Sequence, residues 1–286
     1  YSESTSSGAF TFTTPNAGTS GISGGFTLTT GTASNGDSGG FALSTGDATS
    51  GKSGSMLLKL GTGNTGHGGS FELDVGDTTG ANGDGGSITV TAGHSNDASG
   101  NHGGSIAITA GHTKGSETSD NGGSITVNAG LAATGNGGNI DISTGYSEST
   151  SSGAFTFTTP NAGSNGVSGG FKFSTGASTG GDSGSFSLTT GDAVNGKAGS
   201  FVMKVGSGNV GSGGQLSMVA GDTTGANGDG GNVEFRGGSA GHTDSNSGGS
   251  IILAGGSSLG SELTDHGGSV SIVGGAAAVG KGGNID

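Results

Sequence analysis

The chain has 286 residues, 72 of them Gly, with two Pro, no Cys and no Trp, and a formal net charge of −13 with only eight Lys plus Arg. That balance speaks against nucleic acid, whose binding needs a basic face to displace counterions, and the missing cysteine excludes a disulfide framework and thiolate metal sites. Apolar residues make up 27%, too few for one thick globular core, and no stretch approaches the ~18 apolar residues of a membrane span.

Glycine and serine at this level with so little apolar residue ordinarily mean disorder, and collagen's Gly-X-Y phase is absent. Repetition argues for order instead. Tyr1–Gly18 reads YSESTSSGAFTFTTPNAG and recurs unchanged at Tyr146–Gly163, a period of 145 residues; GDTTGANGDGG recurs in the same way at Gly76–Gly86 and Gly221–Gly231. Inside each long period lies a short motif, Gly, a small residue, then apolar–x–apolar–x–small–Gly, as in GSFELDVG from Gly69, GSITVTAG from Gly86, GSIAITAG from Gly104 and GNIDISTG from Gly138.

In chain order the first apolar position falls at Phe10, Phe26, Phe41, Met56, Phe71, Ile88, Ile106, Ile125 and Ile140, then at Phe155, Phe171, Phe186, Phe201, Leu216, Val233, Ile251, Val270 and Ile285. The spacings are 16, 15, 15, 15, 17, 18, 19 and 15 in both copies. Residues 1–145 are therefore a first long repeat of nine short units and residues 146–286 a second of nine, cut four residues short of a full period. The sequence opens inside a repeat with no leader in view, and neither end carries a polar cap. It reads as a window cut from a longer periodic chain or as a protomer stacked end to end.

Apolar–x–apolar is the period-2 alternation of a strand. The intervening runs, such as TASNGDSG and LAATGNG, carry the Asn-Gly, Asp-Gly and Ser-Gly dipeptides of turns. Each unit is thus expected to be one strand and a tight return, the return holding a second, weaker strand with Ala33, Ala48, Val194 and Val210 inward, and no helix anywhere. Two arrangements fit: an antiparallel meander or a coil of parallel rungs. Nine units per period is odd, so a meander would run equivalent units of the two copies in opposite directions despite near-identical sequences. The expected fold is all-β, a parallel β-solenoid (β-helix) with about 15–19 residues per rung and about 18 rungs.

Stacked in register, such rungs form columns. The expected core columns are Phe26, Phe41, Met56 and Phe71 beside Leu28, Leu43, Leu58 and Leu73, continuing as Ile88, Ile106 and Ile125 beside Val90, Ile108 and Val127. Outward positions in the first copy are largely Thr or charged, whereas Val202, Val219, Ile252, Ala254 and Val273 make the second copy's outer face apolar, a candidate packing face. Lys59 with Asp74, Asp37 with Lys52, and Asp182 with Lys197 are expected charge pairs between adjacent rungs.

Catalytic chemistry is not legible. His67, His94, His102, His112, His242 and His266 all fall in expected turns; His94 and His112 open adjacent returns, but a solvent-exposed turn pair is the better reading than zinc. Gly83-Asp84-Gly85-Gly86 hints at the calcium nonapeptide of parallel β-rolls, yet no apolar residue follows the Asp at the second place and the unit length is neither nine nor eighteen. No cofactor is expected, with calcium the weak exception. Asn-x-Ser/Thr sequons are missing.

The GGSIxIxxG units resemble, over the whole chain, the glycine-rich β-solenoid repeats of secreted surface proteins of algae, other protists and bacteria. That resemblance implies a structural subunit of an extracellular fibre or cell-surface appendage, assembling by end-to-end stacking and lateral packing, with itself as partner. A stalk or passenger of a secreted adhesin, with surface glycans as partners, is the alternative. A third reading, ice or mineral binding, comes from a resemblance of Thr11/Thr13, Thr27/Thr29, Thr89/Thr91 and Thr156/Thr158 to the Thr-x-Thr faces of insect antifreeze solenoids. Lys59, Glu72, Asp74, Asp141, Lys172, Glu234 and Arg236 interrupt that face. An enzyme is not expected, nucleic acid is not an expected partner, and no membrane span is expected.

Overall fold

A glycine ends most apolar segments, and at several returns it decides the local geometry. In the computed structural model, which describes residues 7–96, 100–117, 119–225, 228–241 and 246–286, the chain divides into two units, Tyr1–Ile142 and Ser143–Asp286. In the first, the amide N–H of Gly86 donates to the carbonyl of Gly76 at 2.9 Å, Gly104 to Gly93 at 2.8 Å, Gly123 to Gly111 at 2.8 Å and Gly138 to Gly130 at 2.9 Å. In the second, Gly153 donates to Gly145, Gly231 to Gly221, Gly249 to Gly238, Gly268 to Gly256 and Gly283 to Gly275, at 2.7–2.9 Å. Each bond joins the glycine closing one apolar segment to the glycine two residues ahead of the next segment's first apolar side chain. The return between them is pinched shut at its base.

Side-chain neighbours show which way the chain then runs. A Cβ built on Gly24 would lie 3.5 Å from the Cβ of Thr14; two residues back from Thr14 and two forward from Gly24 are Phe12 and Phe26, whose ring centroids are 5.8 Å apart. In the second unit a Cβ on Gly169 would lie 3.6 Å from that of Thr159, and the rings of Phe157 and Phe171 are 5.6 Å apart. Gly184 beside Thr175, with Phe173 and Phe186 at 5.7 Å, repeats the relation. Moving backward along one segment while moving forward along the next keeps the partners together, so the chain reverses at these returns. The return 77–85 is itself folded on the same register, with the Thr78 hydroxyl donating to the Asp84 carbonyl at 2.8 Å. Its tip holds Asn82 at φ 66°, the left-handed region that Asn tolerates better than most residues.

These findings correct the expected parallel β-solenoid. Among the described residues there is no strand, no helix, no sheet and no barrel. Three physical reasons account for the difference. A parallel rung requires the return to carry the chain back along the whole segment, whereas the Gly-to-Gly bond closes it at its base. A strand assignment requires a ladder of backbone bonds, whereas the returns that are tied hold one bond at the base. A stable layer also requires a second layer over its apolar side, and the returns do not supply one. Val194 and Val210, expected to turn inward as a weaker second strand, are 95% and 88% exposed, and Ala33 and Ala48 are exposed too. The end-to-end stacking of coils falls with the coil.

The accessible surface measures the consequence. A folded monomer of 26.5 kDa exposes about 11,000 Å², and its unfolded chain about 38,000 Å². This chain exposes 28105 Å², and no side chain of its described residues is buried. The order present is local, made of closed returns and neighbouring apolar rows.

Candidate interaction face

The apolar rows are the most developed feature of the chain. Side chains at the first and third places of each segment form one side of it, and they are half open rather than buried: Met56 is 49% exposed and Ile108, the most open of the expected core columns, 77%. Phe26, Phe41, Phe71, Ile88, Ile106, Ile125, Leu28, Leu43, Leu58, Leu73, Val90 and Val127 all lie between these limits. These side chains stand in open rows, in which reversal sets the third place of one segment beside the first place of the next, as Phe12 beside Phe26 and Phe173 beside Phe186.

The fifth place of the segment, which the sequence reading left out, is packed most closely. Val75 is 37% exposed and Val205 42%, while Ala92, Ala110 and Ala220 are half-buried. This position sits over the closing hydrogen bond: the Cβ atoms of Val75 and Ala92 lie 3.2 and 3.4 Å from where a Cβ on Gly86 and Gly104 would stand. The signal was legible, since a period-2 pattern that places two residues inward places the fifth inward as well.

Aromatic rings make the rows continuous where phenylalanine is dense. In the first unit Phe10 and Phe12 meet edge to face at 4.7 Å, and Phe12 passes the contact to Phe26 across the return. In the second unit Phe155 and Phe157 meet at 4.5 Å, Phe157 and Phe171 at 5.6 Å, Phe171 and Phe173 at 4.5 Å, and Phe173 and Phe186 at 5.7 Å. The geometry alternates: edge-to-face along a segment, tilted between segments. Both are favourable arrangements for ring quadrupoles, at about 0.5–1.5 kcal/mol per pair.

The candidate packing face lies on the opposite side and is more open still. Val202, Val219, Ile252 and Val273 are 79–85% exposed, and Ala254 is exposed. Leu57, in the first unit, is equally open at 81%, so outward apolar side chains are not confined to the second copy. All six members of the expected charge pairs, Lys59, Asp74, Asp37, Lys52, Asp182 and Lys197, are exposed. Lys59 borders two open hollows of the first unit, one lined by Leu58, Leu60 and Phe71, the other by Phe12, Thr13, Thr14, Phe26 and Leu57.

The returns hold one arrangement that sequence inspection passed over. In the longest return of each copy, the amide of Asp120 donates to the Glu117 carbonyl at 3.0 Å, and the Asp120 carboxylate accepts the Glu117 amide at 2.9 Å. Asp265 and Glu262 repeat this at 3.0 and 2.8 Å. The shared Glu-x-x-Asp at a spacing of 145 was the available clue. These acids lock a turn and are not gathered with others. Among the described residues no group of three His, Cys, Asp or Glu is placed to hold a metal. His67, His94, His102, His112 and His266 are exposed; His242 lies outside the described residues. Among the same residues no helix is long and apolar enough to cross a membrane.

No family model matches the chain, and neither the curated proteins nor the solved structures hold a match to it.

Proposed function

We propose that this chain is a structural repeat protein of an extracellular fibre or cell-surface appendage, which assembles by lateral packing of its apolar rows. One observation carries the reading: the apolar segments repeat in a fixed register over the whole chain, and their side chains remain half open to water. Covering apolar surface is worth about 25 cal/mol per Å², and the returns of the same chain are mostly Gly, Ser, Asn, Asp and Thr, while their large apolar residues, such as Val194 and Val210 at 95% and 88% exposed, do not cover it. A neighbouring chain with the same rows offers the missing layer. The net charge of −13 keeps dilute chains apart, so assembly answers to concentration and salt. The reading assigns no catalytic residue and no cofactor.

Sedimentation of the purified chain across a concentration series, followed by electron micrographs of the pelleted material, tests it. Growth into uniform filaments or bundles is the expected result, promoted by salt as screening weakens the repulsion. A chain that stays monomeric up to its solubility limit overturns the reading. Short rods ending in a knob overturn it in favour of an adhesin stalk.

A further inference from the structure

We infer that the ring stack Phe155, Phe157, Phe171, Phe173 and Phe186 is the contact through which one copy of this chain recognises a second copy, stack against stack. The inference rests on the self-association reading above and narrows it from apolar rows in general to one place in each unit.

Area comes first. The five rings are 55–63% exposed, and at about 200 Å² per ring they leave about 600 Å² open to water. Leu188, at the next inward place and 63% exposed, brings the patch close to the ~800 Å² that each partner contributes to a standard interface. The rings are also pre-arranged. Their mutual contacts of 4.5–5.7 Å fix their positions before a partner arrives, which lowers the ordering cost of association.

Charge points the same way. Between Phe155 and Leu188 the only charged residues are Lys172 and Asp182, one of each sign, while the whole chain carries −13. Two copies therefore meet here without the like-charge repulsion that the rest of the chain imposes. Recurrence supplies the last argument. The identical blocks Tyr1–Gly18 and Tyr146–Gly163 place Phe10 and Phe12 at the head of the first unit, where they continue into Phe26. Each chain thus carries two ring stacks, and a contact present twice per chain lets association continue past a dimer.

The test is the concentration at which assembly begins, read by sedimentation of the full chain. Three variants are compared with the unaltered protein: Phe157→Ala with Phe171→Ala and Phe173→Ala; Ile251→Ala with Leu253→Ala and Ile272→Ala; and Phe171→Leu with Phe173→Leu. The ring-stack alanine variant is expected to raise the onset concentration at least tenfold, the isoleucine-row variant less than threefold, and the leucine variant by an intermediate factor. Equal shifts for the two alanine variants overturn the ring-stack contact while leaving lateral packing of the rows in place. A leucine variant that assembles like the unaltered chain also overturns it, because area alone would then suffice. Failure of the unaltered chain to assemble overturns the self-association reading itself.

Discussion

The two units carry the same register but close their returns differently. In the first, Ala92, Ala110 and Ala129 stand just before the closing glycine, their methyl groups 3.4–3.5 Å from the place a Cβ would occupy on Gly104, Gly123 and Gly138. In the second, the equivalent residues are Gly237, Gly255 and Gly274. The carbonyls of Gly249, Gly268 and Gly283 move in to the space those methyl groups would take, closer than any Cβ tolerates. The base hydrogen bonds keep their length, 2.8–2.9 Å against 2.7–2.8 Å. Loss of a methyl group therefore changes how tightly the segments approach, not how the return is tied. The second unit also exchanges Asp74, Thr109 and Asn128 of the first for Val219, Ala254 and Val273 on its outer side, and Leu28 for Phe173 within its ring stack.

The largest effect that breaks this contrast is expected from restoring the methyl groups. Gly237→Ala, Gly255→Ala and Gly274→Ala together force backbone apart at three returns. A net hydrogen bond is worth about 1 kcal/mol, so amide exchange at Gly249, Gly268 and Gly283 should accelerate about five- to tenfold. The reverse changes, Ala92→Gly, Ala110→Gly and Ala129→Gly, should leave exchange at Gly104, Gly123 and Gly138 within about twofold, since the bond is already made. Equal sensitivity of both units would erase the contrast.

A smaller effect is expected on the outer side. Ile252→Lys with Val273→Lys places two cations on surface that the first unit leaves to Ala107 and Asn128. If that surface packs against a neighbouring chain, the onset of assembly should rise about three- to tenfold, with base-bond exchange unchanged. Unaltered assembly would assign it to solvent. The smallest effect sharpens the comparison instead. Leu28→Phe gives the first unit the ring that the second has at Phe173, linking Phe26 to Phe41. One or two added ring pairs, at about 0.5–1.5 kcal/mol each, should lower the onset of assembly two- to fivefold. No change would mean that ring continuity contributes nothing beyond area.

The unit length, the apolar register and the turn character of the returns were legible in the sequence, because a 145-residue period repeats them with one set of spacings. Chain direction was not. Nine units per period is a symmetry between distant copies, while direction is set within a return, where Gly86 finds Gly76 or Gly249 finds Gly238 before any distant unit matters. Burial was overread for a related reason. Alternation says which side chains share a side, as Phe26 and Leu28 do, but not whether anything lies over them. The fifth place, at Val75 and Ala92, was within reach of the same alternation and was missed because small residues stand there in most units.

Reversal of the chain at each return is the claim on which the open apolar side depends, and paired cysteines test it most directly. The chain has no cysteine of its own, and a disulfide forms where Cβ atoms lie about 3.5–4.5 Å apart. Thr159→Cys with Gly169→Cys joins positions whose Cβ atoms would be 3.6 Å apart. Thr159→Cys with Thr175→Cys joins equal places of successive segments, which a coil of parallel rungs would bring side by side. Under mild oxidation the first pair should close within the monomer and the second should not; closure of the second pair in place of the first would contradict the reversal.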